Sequence, residues 1–272
     1  MKFLHYCLLL LLPVLLVPFV LLVPLASASS PQAYQDYLYQ FDLYRRTYSD
    51  FTIAKNEYEK FKSLTSQTTA LKNTTAMLSQ RDGLLRAYLL LLNEKINENQ
   101  GFQESRKIEL RALVNAEIAF LDAHKGRAGS ISSLEDATAM SQELESHYRV
   151  LQTILRQTII NISLGDLSAL TRQFDTALSQ SKELVTASRS TFAPQKQATI
   201  DRWLLQIQNV RQLYQQKIVE IEIKNNKLNE LSLDGLDGAF RGIKGDLGQA
   251  KKYLTDGRGF LGELIEALRY QN

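Results

Sequence analysis

Apolar positions recur at alternating spacings of three and four through almost all of the chain beyond residue 30, the rhythm of helices that each bury one stripe. Tyr34, Tyr37, Phe41, Tyr44, Tyr48 and Phe51 keep this rhythm first, just behind Pro31, which suits a first helical turn. Rings at that spacing predict a coiled-coil seam of large side chains; the same stripe also reads as a platform for a peptide or carbohydrate. Tyr39 falls off the seam and is the candidate there for a surface contact.

The rhythm continues in discrete runs. Thr65 and Ser66 are expected caps for a second helix, whose face is Leu71, Thr75, Leu78, Asp82, Leu85, Leu89, Leu92 and Ile96 and which Gly101 ends. A third helix turns Leu110, Leu113, Ala116, Phe120 and Ala123 inward, with Glu117 at its flank, and stops at Gly126 to Gly129. Ser132 and Glu135 form a capping-box pattern for a fourth helix, with Leu144, Leu151, Leu155 and Ile162 on its seam. Gly165 and Asp166 read as a C-cap followed by an N-cap, so a separate fifth helix is expected over Leu167 to Leu184, before a break at Ala193-Pro194. The sixth carries regular heptads from Ile200 through Trp203, Ile207, Tyr214 and Ile221 to Leu228. Short turns imply antiparallel neighbours, and the fold class is all-α: an elongated antiparallel helical bundle or coiled coil of six to seven helices. The bundle is expected over 29–230, divisible into three-helix units at 31–126 and 130–230.

Residues 231–272 break the composition without breaking the rhythm. Glycines crowd this segment from Gly235 to Gly262, yet Leu236, Phe240, Ile243, Leu247, Ala250, Leu254, Leu261, Leu264 and Leu268 stay in phase, with Gly257 at the missing position. Each interior glycine costs up to about 1 kcal/mol relative to alanine. The segment is therefore expected to be helical only against a neighbour, as a conditionally ordered docking element. Phe240, Ile243, Leu247, Phe260 and Leu264 join Tyr39 as candidate interaction residues.

Residues 1–28 stand apart from all of this. Lys2 precedes an apolar run from Phe3 to Leu25, and Ala26-Ser27-Ala28 gives the small-x-small pattern of signal peptidase cleavage, with Ser29 as the first mature residue. An apolar run of about 20 residues can also span a bilayer as an uncleaved anchor, although Pro13, Pro18 and Pro24 interrupt it. Either way the expected location is extracytoplasmic, secreted or held at the cell envelope. Cys7, the only cysteine, lies at the start of the run rather than behind it, which is wrong for lipid attachment. The mature part then has no cross-links to rely on.

Charge and chemistry narrow the function by exclusion. Losing the leader removes Lys2 and no acid from a net charge of +3, so neither nucleic acid nor an anionic membrane surface is an expected partner. Gly257 to Gly262 matches G-x-G-x-x-G, but no strand precedes it and no acidic residue follows at ribose distance. Asp234 to Gly238 lacks the ligand alternation of a calcium loop and reads as Asp-Gly turns. Glu143 and His147 share a helix face without further ligands, and His124 reads as a helix-end residue. No G-x-S-x-G elbow occurs, and the Glu220 and Glu222 carboxylates read as a solvated face. Asn73 and Asn161 head glycosylation triplets inside predicted helices. No catalytic residue, metal or cofactor is expected.

Tyr48-Ser49-Asp50-Phe51, Ser66 to Leu71 and Leu85 to Lys95 resemble uncharacterised exported α-helical proteins of candidate-phylum bacteria. The resemblance covers about a quarter of the chain, implies a bacterial source and carries no activity. The expected function is a non-enzymatic scaffold or adaptor of the cell envelope, acting through a protein partner or self-association and touching membrane only through an uncleaved leader. The alternative is a ligand-sensing or binding helical domain, with the aromatic helix and the Tyr88 to Leu92 region lining a pocket.

Overall fold

A computed structural model describes residues 29–269; the expected leader and the last three residues lie outside it. Six helices make up the body: α1 Ser30–Phe61, α2 Leu64–Glu98, α3 Glu104–Gly126, α4 Leu134–Ser188, α5 Pro194–Asn226 and α6 Leu233–Arg269. Short 3-10 turns at Arg127–Ser130, Arg189–Thr191 and Lys227–Glu230 close α3, α4 and α5. Among the described residues there is no strand, and no helix is long and apolar enough to cross a membrane. The all-α bundle read from the sequence is the fold.

Local chemistry sets the helix starts, one or two residues from where the sequence places them. Ser63, not Thr65, caps α2, exchanging hydrogen bonds with Ser66, and Ser133 with Asp136, not Ser132 with Glu135, forms the box that opens α4. Ser132 still contributes, donating from N–H and hydroxyl to Asp136 Oδ2 at 3.0 and 2.7 Å, and these donors hold the Asp136 carboxyl below its usual range. Pro194 opens α5 as expected. At the start of α1, the Ser30 N–H donates to Glu98 Oε1 at 2.8 Å, so the last residue of α2 satisfies a free donor of its antiparallel neighbour.

Gly165 and Asp166 do not separate two helices. They lie inside α4, which runs unbroken for 55 residues, about 80 Å at 1.5 Å per residue. The reason lies in a distant turn. After α2, Asn99 to Gly101 presses directly onto the backbone of α4, where a β-carbon on Gly165 would meet Asn99 Oδ1 at 2.4 Å and one on Gly101 would meet the Gly165 carbonyl oxygen at 1.6 Å. Asn99 is buried and donates from Nδ2 to the Ile162 carbonyl (3.0 Å) and to Asp166 Oδ1 (2.8 Å), while its Oδ1 accepts from Gly101 N–H (2.9 Å). Arg172, further along α4, donates to the Gln100 and Gly101 carbonyls. Both glycines are therefore required by close approach rather than by a turn.

α4 belongs to two layers at once. Its N-terminal half completes a core with α2 and α3, in which Leu89, Leu92, Ile96, Leu110, Val114 and Leu121 meet Leu144, Leu151 and Leu155. Its C-terminal half lines a second core with α5 and α6, through Phe174, Leu178 and Val185 against Ile200, Ile207, Leu261 and Leu264. The two overlap. Arg149 donates to the carbonyls of Asn229 and Leu231 in the α5–α6 connection, so that connection is gripped nearer the start of α4 than the α2–α3 turn is. Across α4 and α5, Arg211 holds both oxygens of Asp175 at 2.7 and 2.5 Å.

The glycine-rich segment meets its condition for helicity within the chain. α6 starts at Leu233, so the Asp-Gly pairs are helical rather than turns. Leu236, Ile243, Ala250, Leu261 and Leu264 are buried, and Gly257 fills its place in the stripe because Phe174 and Val210 leave only 3.3 Å for a β-carbon. Gly238, Gly242, Gly245, Gly248, Gly259 and Gly262 face solvent with nothing near. Six exposed glycines cost roughly 5 kcal/mol; burial of four large aliphatic side chains, at about 1.5–3 kcal/mol each, offsets that. Lys217, Glu220 and Lys224 of α5 with Asp246 of α6 form a charged network that also ties the pair and holds the Glu220 carboxyl down at about 2.

Two kinds of glycine predict two signs of effect. Gly165→Ala lowers unfolding free energy by about 2–3 kcal/mol through overpacking, against the usual helical preference for alanine. Gly242→Ala and Gly245→Ala each raise it by about 0.5–1 kcal/mol. Chemical denaturation of the three variants reads both.

Candidate interaction surface and buried polar layer

α1 is an edge helix, and its seam is not the ribbon of rings that the spacing suggests. The positions turned toward α2 are Ala33, Tyr37, Gln40, Tyr44, Thr47, Phe51, Ala54 and Tyr58, again a four-three sequence, in which Ala33 and Ala54 are the fully buried members. Gln40 Oε1 accepts from Gln80 Nε2 of α2 at 2.6 Å. Small and polar residues thus alternate with rings and let the two helices approach. Tyr34, Phe41 and Tyr48 are left on the open margin, 47%, 39% and 50% exposed. The expected coiled-coil core of six rings is half core and half surface, because α1 packs mainly along α2 and a single seam cannot cover both sides of the stripe.

The margin rings stay in contact with the seam rings. Tyr34–Tyr37 and Tyr37–Phe41 centroids are 6.4 and 6.3 Å apart, and Tyr44–Tyr48 and Tyr48–Phe51 are 5.9 and 6.0 Å apart. Tyr37 also leans on Tyr88 of α2 at 5.2 Å. Burial raises the Tyr44 and Tyr88 phenols above their ordinary range, so both stay uncharged. Between α1 and α4, floored by Leu85 and Tyr88, lies a groove of about 380 Å³. Phe240 of α6 closes one end, with Arg156 of α4 stacked 5.8 Å from its ring and paired to Asp237. The groove thus sits where the two halves of the bundle meet.

Beneath α1 lies a polar layer. Asp82 of α2 and His124 of α3 are both fully buried, with His124 Nδ1 2.6 Å from Asp82 Oδ2 and Nε2 2.9 Å from the Met140 carbonyl of α4. Arg81 Nε approaches Asp82 Oδ1 at 3.9 Å, too far to bond, and both atoms lack hydrogen-bond partners among the described residues. Burial is the main influence on both groups, raising the Asp82 carboxyl and lowering the Arg81 guanidinium from their ordinary values. Phe120 stacks on His147 at 3.8 Å and on His124 at 5.8 Å, and His147 Nε2 lies 2.8 Å from the buried Glu117.

These positions refine three expectations from the sequence. His124 stands in the last turn of α3, as expected, but its ring is buried in the core; His147 pairs with Glu117 across α3 and α4, while Glu143 pairs with Arg127; and Glu117 is interior, not flanking. In each case the partner is remote in sequence. The layer has no access to solvent at Asp82 or His124, and the described residues contain no group of three or more potential metal ligands.

The candidate interaction residues divide between surface and core. Tyr39 is 63% exposed on α1, outside the groove. Ile243 and Leu264 are buried, Leu247 packs beside Ile243, and Phe260 stacks on Trp203 of α5 at 5.9 Å, so the chain itself occupies these side chains. Only Phe240 lines the groove. The missed members, Phe41 and Arg156, had a partial signal: Phe41 belongs to the aromatic stripe, while Arg156 stood inside an unremarked polar face. Asn161 is buried and accepts from Arg106 at 2.9 Å, a position closed to a glycan. Comparison with protein-family models, curated proteins and solved structures finds no match to this chain.

Truncation separates the two groups. Ile243→Ala and Leu264→Ala each cost about 2–5 kcal/mol of stability, and Tyr39→Ala stays within about 0.5 kcal/mol, as read by thermal or chemical unfolding.

Proposed function

We propose that the chain is a non-enzymatic, extracytoplasmic helical scaffold or adaptor of the cell envelope, acting through protein–protein contacts. The supporting observation is the open aromatic margin of α1, Tyr34, Phe41 and Tyr48, carried on a body whose two halves share one helix. Aromatic rings on a rigid support give large contact area at small entropic cost. The export leader read from residues 1–28 supplies the location. A second reading, ligand sensing, draws on Tyr37 and Tyr88 meeting at the groove. Phe41 and Asp237 at its rim are exposed, which suits an inserted side chain better than an enclosed metabolite.

Site-specific photocrosslinking in the native envelope tests this. A photoreactive phenylalanine at Tyr39, Phe41 or Tyr48 gives discrete protein adducts, whereas the same group at the exposed Ile108 and Leu113 of α3 does not. Adducts of equal yield from both helices, or none from α1, contradict the proposal.

A further inference from the structure

The geometry of the Asp82–His124 contact fixes where its protons reside. The Met140 carbonyl can only accept, so His124 Nε2 carries a hydrogen. One further proton lies in the 2.6 Å contact between Nδ1 and Asp82 Oδ2. It belongs either to a carboxylic acid donating to a bare Nδ1 or to an imidazolium donating to a carboxylate. The second arrangement leaves a carboxylate with one bare oxygen at a site with no solvent access. A bare carboxylate oxygen in the interior is far costlier than the bare carbonyl oxygen of a neutral acid.

We propose that Asp82 is a buried carboxylic acid donating to His124 Nδ1, and that this retained proton makes the α2–α3–α4 layer an alkaline-sensitive latch. The three helices meet in the contact, Asp82 from α2, His124 from α3 and the Met140 carbonyl from α4. Tyr44 and Phe51 of α1 pack against the apolar cluster that includes Met77, Leu78 and Met140, and both touch Tyr48, so loosening of the layer reaches the aromatic margin. The charged and titratable groups around it are Arg81 on α2, Tyr44 on α1, Lys125 on α3, Arg127 in the following turn, and Glu143 and Glu145 on α4. Arg127 and Glu143 neutralise each other at 2.6 Å. Burial is the largest influence and raises the carboxyl; the His124 hydrogen bond and charge, then Arg81 and Lys125, oppose it.

The sign follows from proton counting. The ordinary carboxyl of the unfolded chain ionises near about 4, while the folded carboxyl is raised. Its contribution to stability is thus fully present below about pH 4 and is lost as pH rises toward the folded value, tenfold in the folding constant per pH unit. Asp82→Asn keeps a donor to Nδ1 without a titrating proton and leaves His147 and every other charge in place. In the full chain, the ratio of wild-type to D82N folding constants, from chemical denaturation at pH 6, 7 and 8, falls as pH rises, by up to about tenfold per pH unit. A ratio independent of pH overturns the proposal. Nitrogen-15 NMR of His124 in the unmutated chain gives a readout that does not depend on D82N folding. One pyridine-like and one pyrrole-like nitrogen are expected at pH 7, and two protonated nitrogens, the mark of an imidazolium, overturn the assignment.

Discussion

A backbone-to-backbone contact, the turn from Asn99 to Gly101 against α4 at Gly165, is the constraint on which the architecture depends. A long amphipathic helix interrupted by Gly-Asp has a local option to break. The turn removes that option by occupying the space a break would use and by bonding the Ile162 carbonyl and the Asp166 side chain from outside. The α2–α3 turn is thus carried beyond the midpoint of α4, while Arg149 pulls the α5–α6 connection back toward its beginning. The two halves overlap along a shared segment instead of meeting end to end.

That overlap explains the location of the groove. Tyr37, Phe41 and Tyr88 come from the first half and Phe240 from the second, and Arg156 of the shared helix stands between them, bound to Asp237. A surface assembled from both halves keeps its shape only while α4 is straight. The buried layer around Asp82 and His124 lies about one turn earlier along α2 than Leu85, fixing α3 and α4 against it. Polar groups in such a place stabilise little by themselves but penalise any other helix register strongly, because a shifted register leaves them unpaired.

Much of this was legible in the pattern of apolar residues. Five of the helices, their antiparallel order and the dependence of the glycine-rich segment on a neighbour follow from it, since period and capping chemistry are local. The continuity of α4 was not legible, because Gly165-Asp166 has the local signature of a boundary and the deciding contact comes from a turn far earlier in the chain. The α1 seam was half legible: Tyr34, Phe41 and Tyr48 keep the same spacing as Tyr37, Tyr44 and Phe51, and only the packed position of α2 shows which set is turned inward. Asp82 announced itself by occupying an apolar position, yet its partner His124 stands in the last turn of α3, where nothing local shows that its ring is buried. Pairing across helices is a property of the packed structure, and a spacing rule cannot supply it.

The central claim is that α4 is one rigid element joining both halves. Spin labels at the exposed positions Gln142 and Lys182, introduced as cysteines in a Cys7→Ser background, measure it by electron–electron double resonance. A straight helix between them gives one narrow distance distribution near about 60 Å. A broad distribution, or a clearly shorter distance from a bend at Gly165, contradicts the account.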